Sequence, residues 1–70
     1  MRHGGSKFVL YRELGGGYRW RLRSAAGETL AASELGFPSK SACEADLLAF
    51  MGDRHPDAAV LDATSGRRVR

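Results

Sequence analysis

The sequence predicts a two-layer α+β domain, in which one helix packs on an antiparallel sheet and the elements follow in the order β-β-β-α-β. Residues 18–23 alternate strictly between apolar and cationic side chains, and Ser24 follows them. This period of two indicates a strand with one buried face. Later apolar residues recur at helical spacing, at Cys43, Leu47, Phe50 and Met51. A chain of 70 residues has room for one small domain of this kind.

The first two strands are expected to form a hairpin. Lys7–Arg12 is predicted as the first strand, and the glycines of Gly15–Gly17 supply the conformational freedom for a reversal into the second. The second strand is predicted over Tyr18–Ser24. Its core face carries Tyr18, Trp20 and Leu22, and its other face carries Arg19, Arg21 and Arg23. Trp20 is expected to be a packing anchor whose indole N–H needs a hydrogen-bond acceptor.

Glu28–Ser33 is predicted as the third strand. The turn before it can hold two residues or three. A two-residue turn gives Ala26 a positive φ, which alanine resists. A three-residue loop with Gly27 in the left-handed region avoids that strain, and we adopt it. It predicts two cross-strand pairs on the core face: Leu30 with Leu22 and Ala32 with Trp20.

The helix is predicted to follow residues 35–38, which break the strand pattern. Ser39 or Ser41 can cap it by accepting hydrogen bonds from the first free backbone N–H groups. Ser41 together with Glu44 would form a capping box. Gly52 is expected to end the helix.

The remaining chain divides into a connector, a strand and a tail. His55–Asp57 is predicted as the connector and Ala58–Ala63 as the last strand. The resulting organisation is a flexible lead-in at residues 1–6, one domain at residues 7–64 and a basic flexible tail at residues 65–70.

Cysteine content and the distribution of apolar residues indicate the cellular compartment expected for this protein. Cys43 is the single cysteine, which excludes an intramolecular disulfide. The first residues lack the charged start and apolar run of a secretory signal. No apolar run approaches the roughly 20 residues that cross a bilayer. We therefore expect a cytoplasmic protein that does not associate with membranes.

Several short pieces of this sequence together resemble the YegP-like domains, a family of small domains of unknown function. The resemblance runs from about Phe8 to Asp62 and rests on the order and spacing of the pieces: Phe8 with Leu10-Tyr11, residues 18–22, Gly27-Glu28, residues 32–34, Ser39-Lys40 and Leu47. Three positions depart from the family's usual residues and leave the expected fold intact: Phe37, Ala26 and Asp46.

The resemblance implies a homodimer. YegP-like units occur as two tandem copies or as two subunits that exchange their last strands, and this chain carries one copy. The exchanged strand would contain Ala58, Val60, Leu61 and Asp62. Physical reasoning favours the same arrangement, because exchange of a terminal strand covers an open sheet edge and enlarges the buried area of a small domain.

The arginine face of the second strand is the candidate binding surface. Arg19, Arg21 and Arg23 are spaced by roughly 6.5 to 7 Å and can follow the phosphates of an extended single strand. Tyr11 is expected on the same face as a stacking ring, and the arginines of residues 65–70 can add electrostatic affinity. The alternative is a solvated face whose arginines pair with nearby carboxylates: Glu13, Glu28 and Glu34.

No group of residues points to catalysis. His3 and His55 lack partners at metal-ligand spacing. Cys43 is expected to be buried and unreactive, and Asp46 to be a surface charge. Gly15–Gly17 precedes a strand and therefore does not form a phosphate loop. We expect a non-enzyme without metal, cofactor or small-molecule substrate. It would be a small homodimeric interaction or accessory module, with weak, sequence-tolerant binding of single-stranded RNA or DNA as the alternative and another protein as a further candidate partner.

Overall fold

A computed structural model describes residues 5–54 and 58–69 of the chain. Within these ranges one helix packs on one sheet, which confirms the predicted α+β class. The elements are β1 (Lys7–Arg12), β2 (Tyr18–Arg23), β3 (Thr29–Ala32), α1 (Lys40–Arg54), β4 (Ala59–Asp62) and β5 (Arg67–Arg68).

Strands β1 and β2 pair antiparallel and confirm the predicted hairpin. Phe8 lies opposite Leu22, and Leu10 lies opposite Trp20. All four side chains are at most 3% exposed. The rings of Phe8 and Trp20 meet edge to face, with centroids 5.6 Å apart. These two strands form the sheet half of the core.

The sheet is mixed, with the strand order β3-β2-β1-β4-β5. Strand β4 runs parallel to β1 and places Val60 opposite Phe8. The prediction of an antiparallel sheet was therefore wrong for β4. Strands β1 and β3 both pair antiparallel with β2 and so share a direction. Helix α1 returns the chain to the end of the sheet where β3 began, so β4 takes the direction of β1.

The loop between β2 and β3 has the predicted three residues. Ser24 N–H donates to the Glu28 carbonyl at 2.8 Å, and Gly27 N–H donates to the Ser24 carbonyl at 2.9 Å. Gly27 has a φ of 90°. This left-handed conformation is the one that the loop requires of its last residue.

The register of β3 differs from the prediction. Thr29 lies opposite Arg23 and Ala31 lies opposite Leu22, so β3 advances two residues where β2 advances one. Leu30 is the extra residue of this β-bulge and is 52% exposed, whereas Ala31 packs against the core. A bulge shifts side-chain alternation by one residue, which a turn rule alone does not reveal. The predicted pairs were therefore wrong: Leu30 with Leu22 and Ala32 with Trp20.

Helix α1 begins directly after Ser39. The Ser39 hydroxyl oxygen accepts a hydrogen bond from Ala42 N–H at 3.2 Å. Ser39 is thus the N-cap of the two predicted candidates. Ser41 lies inside the helix, so the capping box with Glu44 does not form.

The helix continues past Gly52 to Arg54, so the predicted end at Gly52 was wrong. Gly52 lacks the positive φ of a C-terminal glycine cap. The Arg54 guanidinium lies 4.9 Å from the Phe50 ring and packs along the last turn. The core-facing stripe is as predicted, with Cys43, Leu47 and Met51 buried and Phe50 half-buried against them.

Strands β4 and β5 form a hairpin where residues 65–70 were predicted to be a flexible tail. Gly66, at a φ of 71°, donates its N–H to the Asp62 carbonyl at 2.8 Å and closes the turn. Val69 N–H donates to the Val60 carbonyl at 2.8 Å. Residues 67–68 of the predicted tail are therefore part of the sheet. Residues 1–4 of the predicted lead-in, His3 among them, the connector His55–Asp57 and Arg70 lie outside the described residues.

The bulge in β3 predicts that two neighbouring leucines differ in their contribution to stability. Leu30→Ser should change the free energy of unfolding by less than about 0.5 kcal/mol, because the side chain is exposed. Leu22→Ala should cost about 2–5 kcal/mol, because it leaves a cavity in the core. Urea denaturation of both variants measures the difference. Equal losses would place Leu30 in the core and contradict the bulge.

Candidate functional site

The face of the sheet opposite α1 carries most of the cationic side chains of β1 and β2. We call it the open sheet face. Strand register places Lys7 beside Arg23, Val9 beside Arg21 and Tyr11 beside Arg19. No helix or strand of residues 5–54 and 58–69 packs on this face. The structure therefore brings together the predicted residues of the candidate surface.

Arg19 is held by the rest of the domain. Its Nη1 donates to Glu13 Oε2 at 2.9 Å as an ion pair. Its Nη2 donates to the backbone carbonyls of Ser33 and Glu34, at 2.7 and 3.3 Å. The hydrogen bond to Glu13 is the main cause that raises the pKa of Arg19. Arg19 ties β2 to the segment after β3 and thereby serves the fold.

Arg21 and Tyr11 form a stacked pair on the open sheet face. The Arg21 guanidinium lies 4.6 Å from the centre of the Tyr11 ring, a cation–π contact. Arg21 Nε is buried and has no hydrogen-bond partner among the described residues. One face of the predicted stacking ring is thus covered by the neighbouring guanidinium.

The other cations of this face differ in their contacts. Arg23 Nη2 donates to the Gly27 carbonyl at 2.9 Å. Lys7 is exposed and makes no hydrogen bond or ion pair within the described part of the chain. Of the predicted carboxylate partners, Glu13 pairs with an arginine, and within that same part Glu28 and Glu34 do not. Two cations, Lys7 and Arg21, therefore remain available to an anion.

The open sheet face extends onto strands that the sequence reasoning did not assign to it. Val9 lies opposite Arg21 on one side and opposite Leu61 on the other. One row crosses all five strands: Ala32, Arg21, Val9, Leu61 and Arg68. Leu61 was predicted as part of an exchanged strand, and its place beside Val9 depends on the parallel pairing, which the sequence pattern did not indicate.

Asp62, also predicted as part of that strand, is the centre of a polar cluster on the helix side. It is buried and accepts hydrogen bonds from Lys40 Nζ at 2.9 Å and from Thr64 N–H at 3.0 Å. Burial by itself raises the pKa of Asp62, but the hydrogen bonds from Thr64, Lys40 and Ser65 outweigh it and hold the pKa well below its usual range. This cluster fastens the start of α1 to the end of β4, and sequence analysis missed it.

The indole of Trp20 finds the acceptor that the sequence analysis required. Trp20 Nε1 donates to Asp46 Oδ2 at 2.8 Å. Asp46 is exposed on the helix surface, as predicted, and its carboxylate also joins α1 to β2 through this bond. A groove lies beside this contact, between the helix and the outer edge of β3, and is lined in part by Trp20, Ser33, Glu34, Phe37, Asp46 and Phe50.

The remaining candidates offer little for chemistry. Cys43 is fully buried, and burial, with smaller effects of Asp46 and Glu44, raises its pKa to about 11. Its thiol is therefore protonated at neutral pH. Residues 5–54 and 58–69 contain no group of three potential metal ligands. Over the same ranges, no helix combines the length and the hydropathy needed to cross a membrane.

Comparison with known protein families gives a match to part of the chain. Residues 15–46 match the model of a family described as Domain of unknown function (DUF1508). The matched segment contains β2, β3 and the first half of α1, and it excludes β1 and β4. Neither the curated proteins nor the solved structures yield a significant match.

The Asp62 cluster predicts a specific acid dependence of stability. A carboxyl group whose pKa is lowered by folding stabilises the native state above its unfolded pKa, about 4, and this contribution is lost as the pH falls further. Asp62→Asn should therefore lower stability at pH 7 and flatten the decline below about pH 4. Urea midpoints measured between pH 2 and 7 test this. Asp53→Asn, on the exposed end of α1, is the control and should keep the wild-type profile; parallel profiles for all three proteins would contradict the role of Asp62.

Proposed function

We propose that this protein, whose residues 15–46 match the model of the YegP-like domain family of unknown function, is a non-catalytic interaction module that works as a homodimer. The dimer would form by exchange of the C-terminal hairpin, β4 and β5, between two chains. Each hairpin would complete the sheet of the partner subunit. The module's role would be to present paired sheet surfaces to another macromolecule.

The observation that supports exchange is the way in which the C-terminal hairpin is attached. Strand β4 pairs with β1 on one side and with β5 on the other. Helix α1 packs over β1 and β2. Contacts that join the hairpin to the rest of the domain include one strand pairing, the burial of Val60, the Lys40–Asp62 ion pair and the hydrogen bond from Lys40 to Thr64. A unit attached in this way can be exchanged without loss of any of these contacts.

Exchange would turn these intrachain contacts into contacts between subunits. Val60 would enter the core of the partner, and the Lys40–Asp62 ion pair, 2.9 Å long within one chain, would link the two chains. The apolar area that a 70-residue chain buries alone is small. Dimer formation would therefore add stability that depends on protein concentration.

A pair of cysteines across β1 and β4 tests this proposal. Val9 and Leu61 are register partners on the open sheet face, and neighbouring strands lie about 4.8 Å apart, within the range that a disulfide spans. We expect Val9→Cys with Leu61→Cys, in a Cys43→Ala background, to oxidise to a covalent dimer. Non-reducing denaturing electrophoresis measures it, together with the native mass from light scattering.

The matched control is a cysteine pair across β1 and β2. Val9 and Arg21 are register partners within the first hairpin, so Val9→Cys with Arg21→Cys should oxidise within one chain in either arrangement. A covalent monomer from the Val9 and Leu61 pair would contradict exchange. A native mass of one chain over a wide concentration range would contradict the dimer itself.

The alternative function is binding of single-stranded nucleic acid at the open sheet face. Lys7 and Arg21 favour it, because neither makes an ion pair within the described residues and both lie on an uncovered sheet. The internal contacts of Arg19 and the covered ring of Tyr11 leave a smaller site than three free arginines and a free stacking ring would provide. This function is therefore the less supported of the two.

Salt dependence and charge removal test the alternative. If single-stranded nucleic acid binds here, affinity for a labelled oligothymidine should fall steeply with salt, and Lys7→Gln with Arg21→Gln should weaken binding about tenfold or more and reduce the salt slope. Arg12→Gln with Arg54→Gln removes two charges from outside this face and is the control. Fluorescence anisotropy measures each affinity. Equal losses for both pairs, or no binding at low salt, would exclude a site on this face.

A further inference from the structure

Strand β3 forms one edge of the sheet. It is the first strand in the order β3-β2-β1-β4-β5, and its outer side pairs with no strand among the described residues. Natural proteins protect edge strands by short length, a bulge, charged side chains, proline or a covering segment, and of these β3 has the short length and the bulge at Leu30. The four residues of β3 are Thr29, Leu30, Ala31 and Ala32, which carry no charge and include no proline.

The backbone of this edge can accept another strand. Ser33 N–H donates to the Trp20 carbonyl at 2.9 Å. Because backbone groups alternate in direction along an antiparallel strand, the N–H and C=O of the preceding residue, Ala32, point away from β2. These groups are available for strand addition, the mode in which an extended peptide joins a sheet edge.

A groove on the helix side lies next to this edge. Ala32 and Ser33 form one rim, and the rings of Trp20, Phe37 and Phe50 are among its walls. Its volume is about 310 Å³, at the lower end of the range for ligand sites, which gives room for a long side chain. Alternate side chains of an added strand point to the same face, so one of them would project toward this groove.

The negative charge of the groove favours a cationic side chain on the added strand. Two carboxylates line it, Asp46 and Glu34. Asp46 accepts a hydrogen bond from the Trp20 indole through Oδ2. Glu34 makes no side-chain hydrogen bond or ion pair within residues 5–54 and 58–69. Carboxylates beside aromatic rings bind a guanidinium or an ammonium group by ion pairing and cation–π contact.

We propose that β3 and this groove bind an extended segment of a partner protein, which adds to the sheet edge and places an arginine or lysine side chain between Asp46 and Glu34. Leu35 lines the groove and Leu30 lies in β3; they are 74% and 52% exposed and would contact apolar residues of the segment. The recognised sequence is therefore short and extended, with one cation among apolar or β-branched residues.

A synthetic peptide of seven residues tests the proposal on the full chain. It has threonine at its odd positions, valine at the second and sixth, and arginine at the fourth, with both ends blocked. We expect this peptide to shift the backbone N–H resonances of Thr29–Ser33 and the indole resonance of Trp20 in NMR titrations. The same peptide with citrulline, which lacks the charge of arginine, should bind about tenfold more weakly.

Two charge variants of the protein complete the test. Asp46→Asn with Glu34→Gln should weaken the arginine peptide about tenfold and leave the citrulline peptide unchanged. Glu44→Gln with Asp53→Asn removes two carboxylates that do not line the groove and should leave both affinities unchanged. The amide spectrum of each variant shows whether the fold is kept.

Three results would overturn the proposal. They are no binding of the arginine peptide at millimolar concentration, equal affinity for the citrulline peptide, and resonance shifts confined to the open sheet face. The site lies at the opposite edge of the sheet from β4 and β5. Failure of hairpin exchange, which the cysteine pair reports, is therefore distinguishable from failure of peptide binding.

Discussion

The pairing of β1 with β4 is the constraint on which the rest of the domain depends. Strand β1 lies in the middle of the sheet, between β2 and β4. Its core side chains, Phe8 and Leu10, have register partners on β2 on one side and on β4 on the other, where Val60 lies directly opposite Phe8. If this pairing were lost, Val60 would leave the core and Asp62 would lose the ion pair with Lys40. In a monomer, β4 pairs with β1 of the same chain. In the proposed exchanged dimer, it would pair with β1 of the partner subunit.

Local patterns were sufficient to predict most elements of this fold. Alternation over Lys7–Arg12 and Tyr18–Arg23 defined two strands and both faces of the sheet, because a period of two leaves little freedom of orientation. The bulge at Leu30 and the helix end at Arg54 were not predictable in this way. Both depend on contacts made after folding, such as Ala31 on the core and Arg54 on the Phe50 ring. The parallel direction of β4 follows from the path of α1, which no local pattern contains.

For the candidate sites as well, the sequence period predicted which face a side chain lies on but did not predict which groups it contacts. The sequence placed Arg19, Arg21 and Arg23 on one face, and they lie there. It could not indicate that Arg19 binds the carbonyls beyond β3, since that contact depends on how the chain turns after Ala32. The groove at Asp46 could not be predicted from the sequence for a related reason. Its residues come from β2, β3, α1 and the segment between β3 and α1, and they meet only when the helix lies across the sheet.

The reactivity of the Cys43 thiol reports how often the structure opens around it. It is the single cysteine of the chain, it lies fully buried on the core-facing side of α1, and its pKa is raised to about 11. A thiol reagent reaches the sulfur when α1 lifts from the sheet, because the reactive thiolate forms only on contact with water. The rate of labelling therefore measures the free energy of that opening in the unmodified protein. A second subunit or a bound peptide that holds α1 against the sheet would therefore slow the labelling of the Cys43 sulfur.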